Sequence, residues 1–373
     1  MSQHITYDPA YNTLDRDDFM GMIEVDRYAD RSDAFDEIIA ATVDHFWDPL
    51  DPSYIDFDSE KFDLDEQLIL PRNFHVELNC AVAEKLTPHQ QIQLANQSSR
   101  FTLSSILHGE QGALSLSASL CQILRDPGAQ EYAANQAREE ARHVSGFSIY
   151  VAKRWGTPLP CGSGLGGLLD EAVQAPMVYK KLVGMQMLVE GLAMGAFAFI
   201  HANTEDPVLK RLVQLVMADE AFHHRFGKIW ADKTIPGLSP EEHEVVEDWA
   251  AECFQNLLMN LVNSEQKQVI YEQFGLDWKW VRSAILEAFS DSDRRDAMRE
   301  SNNIFRVLIK TLLKAGIITE RTRPIYAAWV NMKELDAEGD EVIGTDLADA
   351  TTLELIEINR GRKKIGRILQ SRV

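Results

Sequence analysis

Cysteine is scarce in this 373-residue chain. Cys80, Cys121, Cys161 and Cys253 lie far apart and form no C-x-x-C pair. That argues against a thiolate zinc site or a disulfide scaffold and fits a reducing compartment. Basic residues are also few: 37 Lys and Arg against 58 Asp and Glu leave a net charge of −21, which argues against nucleic acid as a partner. The first residues, MSQHITYDPAYNTLDRDD, lack a basic segment followed by an apolar one. No secretory leader is expected, and the expected location is the cytoplasm. An unbroken apolar run of membrane-spanning length is missing too. The best stretch, 183–200, is interrupted by Gln186 and Glu190, so a buried helix is expected and no membrane span. Strand signals are sparse and low-complexity tracts are absent.

What remains is helical periodicity, so the fold class is all-α. Residues 1–72 read as an irregular arm with one helix near 33–47. Thr87-Pro88 is a cap and first-position pair opening a helix to about 125, and Asp126-Pro127-Gly128 breaks it. Another helix follows over 129–155. A Gly/Pro-rich crossover comes next, at 156–172. It contains Gly162-x-Gly164-x-x-Gly167, but no strand precedes it, so a dinucleotide site is not expected. Helices at 175–203 and 207–233 complete a segment spanning 73–235. Ser239-Pro240-Glu241-Glu242 is a capping box that starts a helix to about 275. Further helices at 277–290, 292–315 and 321–335 complete an additional region, 236–335, before a tail at 336–373.

Two segments, REEARHVSGF (138–147) and ADEAFHHRFG (218–227), each read acid-Glu-x-x-His. One such match means little, but these two share a frame. From Glu110, Asp126-Pro127 lies 16 and 17 residues on, Glu140 lies 30 on and His143 lies 33 on. From Glu190, Asp206-Pro207, Glu220 and His223 fall at the same offsets. This is an internal repeat. At about 1.5 Å of rise per residue, each copy climbs to the turn and returns to its starting height. Glu110 then faces Glu140 and His143, and Glu190 faces Glu220 and His223. Residues i and i+3 share a helix face, so two such hairpins bring four carboxylates and two imidazoles to one level. In an apolar interior that set demands cations. A Glu from each of two helices with Glu-x-x-His from the other two is a di-iron or di-manganese ligand set.

On these residues the chain resembles the ferritin-like superfamily of non-haem di-iron carboxylate proteins over about 100–230. That superfamily includes bacterial multicomponent monooxygenases, acyl-carrier-protein desaturases, ribonucleotide reductase small subunits and aryl-amine N-oxygenases. The resemblance implies a ferritin-like four-helix bundle with added helices. It implies metal ligands Glu110, Glu140, His143, Glu190, Glu220 and His223, with the four glutamates serving catalysis. Asp219 would support His143, and Glu139 would support His223. The implied cofactor is two irons, with manganese or a mixed pair as alternatives, and dioxygen as co-substrate. The implied activity is oxidation of an apolar or partly apolar small organic molecule by a monooxygenase, N-oxygenase or desaturase type of enzyme. With no flavin or iron–sulfur motif in the chain, electrons would come from a separate reductase or ferredoxin. Oligomeric state stays open, a homodimer included.

Departures from the relatives narrow the reading. Phe147 stands where radical subunits carry a tyrosine, Tyr150 reads as packing, and the C-terminal IGRILQSRV has no tyrosine relay. Ala193 and Met194 stand where hydroxylases and desaturases usually have threonine, and Val216 where N-oxygenases have an extra histidine. His224 points away from the ligand face. Ala113, Leu114, Phe147, Ala193, Met194, Phe197 and Ala198 are expected near the ligands, as pocket or as core. A radical-generating subunit and a ferroxidase or metal-handling protein remain the rival classes.

Overall fold

The computed structural model describes residues 5–59, 61–261, 263–289, 304–339 and 344–361. Among them the chain is all-α, and its only strands are the two-residue pair Tyr7–Asp8 and Thr13–Leu14. Two short helices, α1 (Phe19–Met22) and α2 (Asp36–Asp44), precede the long ones, α3 (Pro88–Ile123) and α4 (Pro127–Trp155). Helix α5 (Ser163–Gln174) leads to one continuous helix made of α6 (Val178–Lys181), a π-helical stretch Leu182–Val189 and α7 (Glu190–Asn203). Helices α8 (Pro207–Thr234) and α9 (Pro240–Leu261) follow.

Local chemistry sets the starts of these helices. Thr87 and Gln90 form a reciprocal capping box on α3. Asp126 accepts from the Gly128 N–H at 2.8 Å to cap α4. Asp206 accepts from Val208 and Leu209 at 3.0 and 3.4 Å to cap α8. A proline follows each cap, where its fixed φ suits the first helical turn and its missing N–H costs nothing. The connections at 124–126 and 204–206 are equally short, so α3 and α4 form one antiparallel hairpin and α7 and α8 another, with α4 packed against α8.

Several boundaries differ from the sequence reading. The crossover is not open chain: most of its second half is α5, packed on α3 and α9 through Leu168, Leu169 and Ala172. The helix expected to reach 275 stops at Leu261, and Asn263 accepts from the Glu265 N–H to start a new turn. The helix expected at 321–335 is split into Arg323–Ala327 and Met332–Ala337, with Asn331 capping the second piece. Of the helix expected at 292–315, Ile304–Lys314 is seen. Residues 292–303 and the terminal IGRILQSRV lie outside the described residues.

Two large apolar clusters fill the interior, and α3, α4, the continuous helix ending in α7, and α8 each run from one to the other. Leu103 and Leu107 of α3, Phe147 of α4, Met194 and Phe197 of α7, and Leu212 to Ala218 of α8 belong to one cluster. Ala113 and Leu116, Tyr132, Leu188 upstream of α7, and Phe226 and Trp230 belong to the other. Glu110, Glu140, Glu190 and Glu220 fall at the joint on their respective helices. The helix Val178–Asn203 is apolar and long enough to cross a membrane, but 67% of its most apolar window is buried inside the protein. That is the signature of a core helix.

Candidate metal centre

The structure brings together all six residues singled out by the repeat, and none is more than 5% exposed. Ligand atoms of Glu110, Glu140, His143 and Glu220 lie within 4.8 Å of one another, and so do those of Glu140, Glu190, Glu220 and His223. The two groups share Glu140 and Glu220. Each shared carboxylate divides its oxygens between the halves. Glu140 turns Oε2 to His143 Nδ1 at 3.2 Å and Oε1 to His223 Nδ1 at 3.0 Å. Glu220 turns Oε1 to His143 Nδ1 at 3.2 Å and Oε2 to His223 Nδ1 at 3.1 Å. Glu110 meets only the His143 side, at 3.2 Å, and Glu190 only the His223 side, at 3.9 Å.

The outward nitrogens are held by acids. His143 Nε2 donates to Asp219 at 2.7 Å, and His223 Nε2 donates to Glu139 at 3.0 Å. Asp219 also accepts from Trp47 Nε1 at 2.8 Å, Arg142 Nε at 2.9 Å, a second Arg142 nitrogen, and His45 at 3.1 Å. Glu139 is no surface acid: it is 2% exposed and accepts from His45 at 3.0 Å. With both Nε2–H groups committed outward, both Nδ1 atoms face the carboxylates. This orientation is what a metal-ligating imidazole with an acidic partner requires. On the other side Gln136 Nε2 reaches Glu140 at 2.9 Å, Gln186 at 3.1 Å and Glu190 at 3.3 Å.

Electrostatics divide the four glutamates. Burial pushes Glu110 up to about 8; His143 opposes the shift while Glu220 and Glu140 add to it. Burial, then Glu220 and Glu140, hold Glu190 well above the usual carboxylate range. Burial acts on Glu140 and Glu220 too, but the facing imidazoles, His223 first, outweigh it and keep both low. The imidazoles gain correspondingly: against burial, Asp219 and the glutamates raise His143, and the carboxylates raise His223. Without metal the six groups therefore balance as two acids, two carboxylates and two imidazoliums. Two divalent cations would balance four carboxylates and two neutral imidazoles equally well, so the donor set fits a metal pair. This helical chain holds buried Glu, His and Asp clusters that can bind metal and are compatible with a di-iron carboxylate site.

Other singled-out residues serve packing. Tyr150 donates to Asp206 at 2.7 Å, beside Arg154. Phe147 and Phe197 stack at 5.7 Å, and Val216 is buried among apolar neighbours. His224 is buried facing Thr311 at 3.4 Å, away from the ligands. Ala113 lies in one apolar cluster, while Phe147, Met194, Phe197, Ala193 and Ala198 lie in or against the other. Leu114 is half-buried.

Sequence reading missed His45, Trp47, Arg142 and Gln136. Gln136 did leave a signal, standing one turn before Glu140 as Gln186 stands one turn before Glu190. His45 and Trp47 left none, because only the packing of α2 across α4 and α8 brings them to the site. No family model matches the chain, and no curated protein is similar to it.

Proposed function

We propose that this chain is a ferritin-like, non-haem di-iron oxidoreductase that uses dioxygen to oxidise an apolar or partly apolar organic molecule. The observation that carries the reading is the pair of overlapping ligand groups sharing Glu140 and Glu220. Glu110 and His143 would complete one metal position, and Glu190 and His223 the other. Oxygen and imidazole donors without thiolate favour iron or manganese. When bound, a pair of irons supplies electrons to dioxygen and oxidising power toward the substrate.

The chain's own residues do the rest. Asp219 and Glu139 fix the imidazole rings. Gln136 orients Glu140 and Glu190. The two apolar clusters keep bulk water from the joint. Phe147 stands one turn beyond His143, and Met194 and Phe197 one and two turns beyond Glu190, so any substrate admitted beside the ligands would meet apolar side chains. Electrons would be delivered by a separate reductase or ferredoxin. Protein loaded with Fe(II) under anaerobic conditions should hold about two irons per chain and consume dioxygen when a reductant and a substrate are added. Elemental analysis that returns a single zinc and neither iron nor manganese, whatever the loading conditions, would refute the proposal.

A further inference from the structure

A third group of buried metal-ligand-type side chains, His45, Glu139 and Asp219, lies behind the two histidines. It does not suit a third ion, because Arg142 already contacts both acids there as their cation. Its geometry points elsewhere. His45 follows the last residue of α2, outside the four long helices, and is fully buried. Its ring stacks on Phe222 at 4.8 Å with the planes 3° apart, which fixes its orientation. Nδ1 has no partner. Nε2 has two, Glu139 Oε1 at 3.0 Å and Asp219 Oδ1 at 3.1 Å. One N–H is therefore shared between two carboxylates. The remaining oxygens of those acids reach His223 Nε2 at 3.0 Å and His143 Nε2 at 2.7 Å.

The result is an unbroken path of imidazole, carboxylate, imidazole, carboxylate, imidazole from one inward-facing histidine to the other. The internal repeat accounts for each acid–histidine pair separately. It supplies no counterpart of His45, which sits between the pairs and belongs to neither.

We infer that His45 is a positioning residue that braces both inward-facing imidazoles at once, so that both metal positions depend on it. This rests on the two-metal reading above. Removing a group that orients a ligand imidazole typically weakens metal binding 10–100-fold. A brace common to both imidazoles makes that loss fall on both ions together. Loss at one position alone is what a support confined to one histidine would produce.

The test uses Co(II) as a redox-silent probe, with equilibrium dialysis and elemental analysis of the full chain. The wild type should take up about two ions per chain. His45→Phe keeps the stack on Phe222 but removes the N–H. It should shift the uptake of both ions about 10–100-fold to higher Co(II), in parallel. His45→Gln, which restores an N–H donor, should recover most of the affinity. Apo thermal melts of both variants, run with chelator, register any change in folding separately, and a shift in metal uptake that His45→Gln reverses is one that packing alone would not produce. If His45→Phe does not fold, His45→Asn, whose shorter amide stops short of both acids, is read in the same way. A variant with the wild-type uptake curve, or one that loses a single ion, overturns the brace and leaves the two-metal reading standing. A wild type that cannot hold two ions overturns that reading and the brace with it.

Discussion

Glu190 illustrates how a single side chain can cost stability for the sake of binding. Its carboxyl is held above the normal range by burial, Glu220 and Glu140, so its contribution to apo stability is complete below its unfolded pKa and is lost as pH rises from there through its folded pKa. At pH 7 it is a net cost. Glu190→Gln mimics the protonated acid and should leave the apo melting point equal to or above that of the wild type. Iron should raise the wild-type midpoint and barely move the variant's. An apo variant that melts far below the wild type would count against this account. The same titration state makes a second prediction. Glu110, Glu190, His143 and His223 each carry a proton that a metal pair would displace. Loading near pH 7 should thus release about four protons per chain, measurable in weakly buffered solution with a pH-stat; release of one or none would contradict the ligand set. Asp219 carries a double role that its place before Glu220 does not reveal. Asp219→Asn should weaken metal binding about 10–100-fold. It should also destabilise the apo fold by about 3–5 kcal/mol, because buried Arg142 loses its main partner. Chemical denaturation with chelator present checks the second effect separately from the first.

At the scale of elements, the π-helical stretch Leu182–Val189 runs directly into Glu190. A π turn carries one extra residue and is often found at functional sites. Here it presents Gln186 and Glu190 to the same Gln136 amide. The neighbouring helix α8 accommodates it with a glycine: a Cβ on Gly227 would lie 2.9 Å from Gln186 Cβ and 3.3 Å from Met187 Cγ. Ala is worth about 1 kcal/mol over Gly inside a helix, and overpacking costs about 1–3 kcal/mol. Gly227→Ala should therefore lose about 1 kcal/mol net and weaken metal uptake as Glu190 shifts. A variant more stable than the wild type would show that the contact is slack.

For the whole molecule, the arm and the later helices close the ends and sides of the centre. Trp47, Tyr54, Ile69 and Leu70 of the arm are buried, and the helix Thr345–Gly361 packs on α8. Burial away from the site also shapes stability. Burial holds His75 down at about 4, with Lys267 adding to it, so the folded state binds fewer protons than the unfolded one between about pH 6.5 and 4. Stability from this group is complete above that window and is lost as pH falls through it, by about 3 kcal/mol at pH 4. Denaturation midpoints of His75→Gln should fall less steeply across the window; a slope equal to that of the wild type would assign the acid limb to other groups. The sequence by itself determined the all-α class, the two hairpins and the register of six acids and imidazoles, because helical rise, i,i+3 spacing and Asp-Pro caps are local and repeat at equal offsets. It could not determine the π turn, whose widening depends on the space left by Gly227, nor the helix inside the crossover, which is stabilised by packing on α3 and α9. Nor could it foresee that His45, Trp47 and Arg142 would converge on Asp219. Those contacts include pairs more than 170 positions apart, and only the seating of α2 across α4 and α8 decides them.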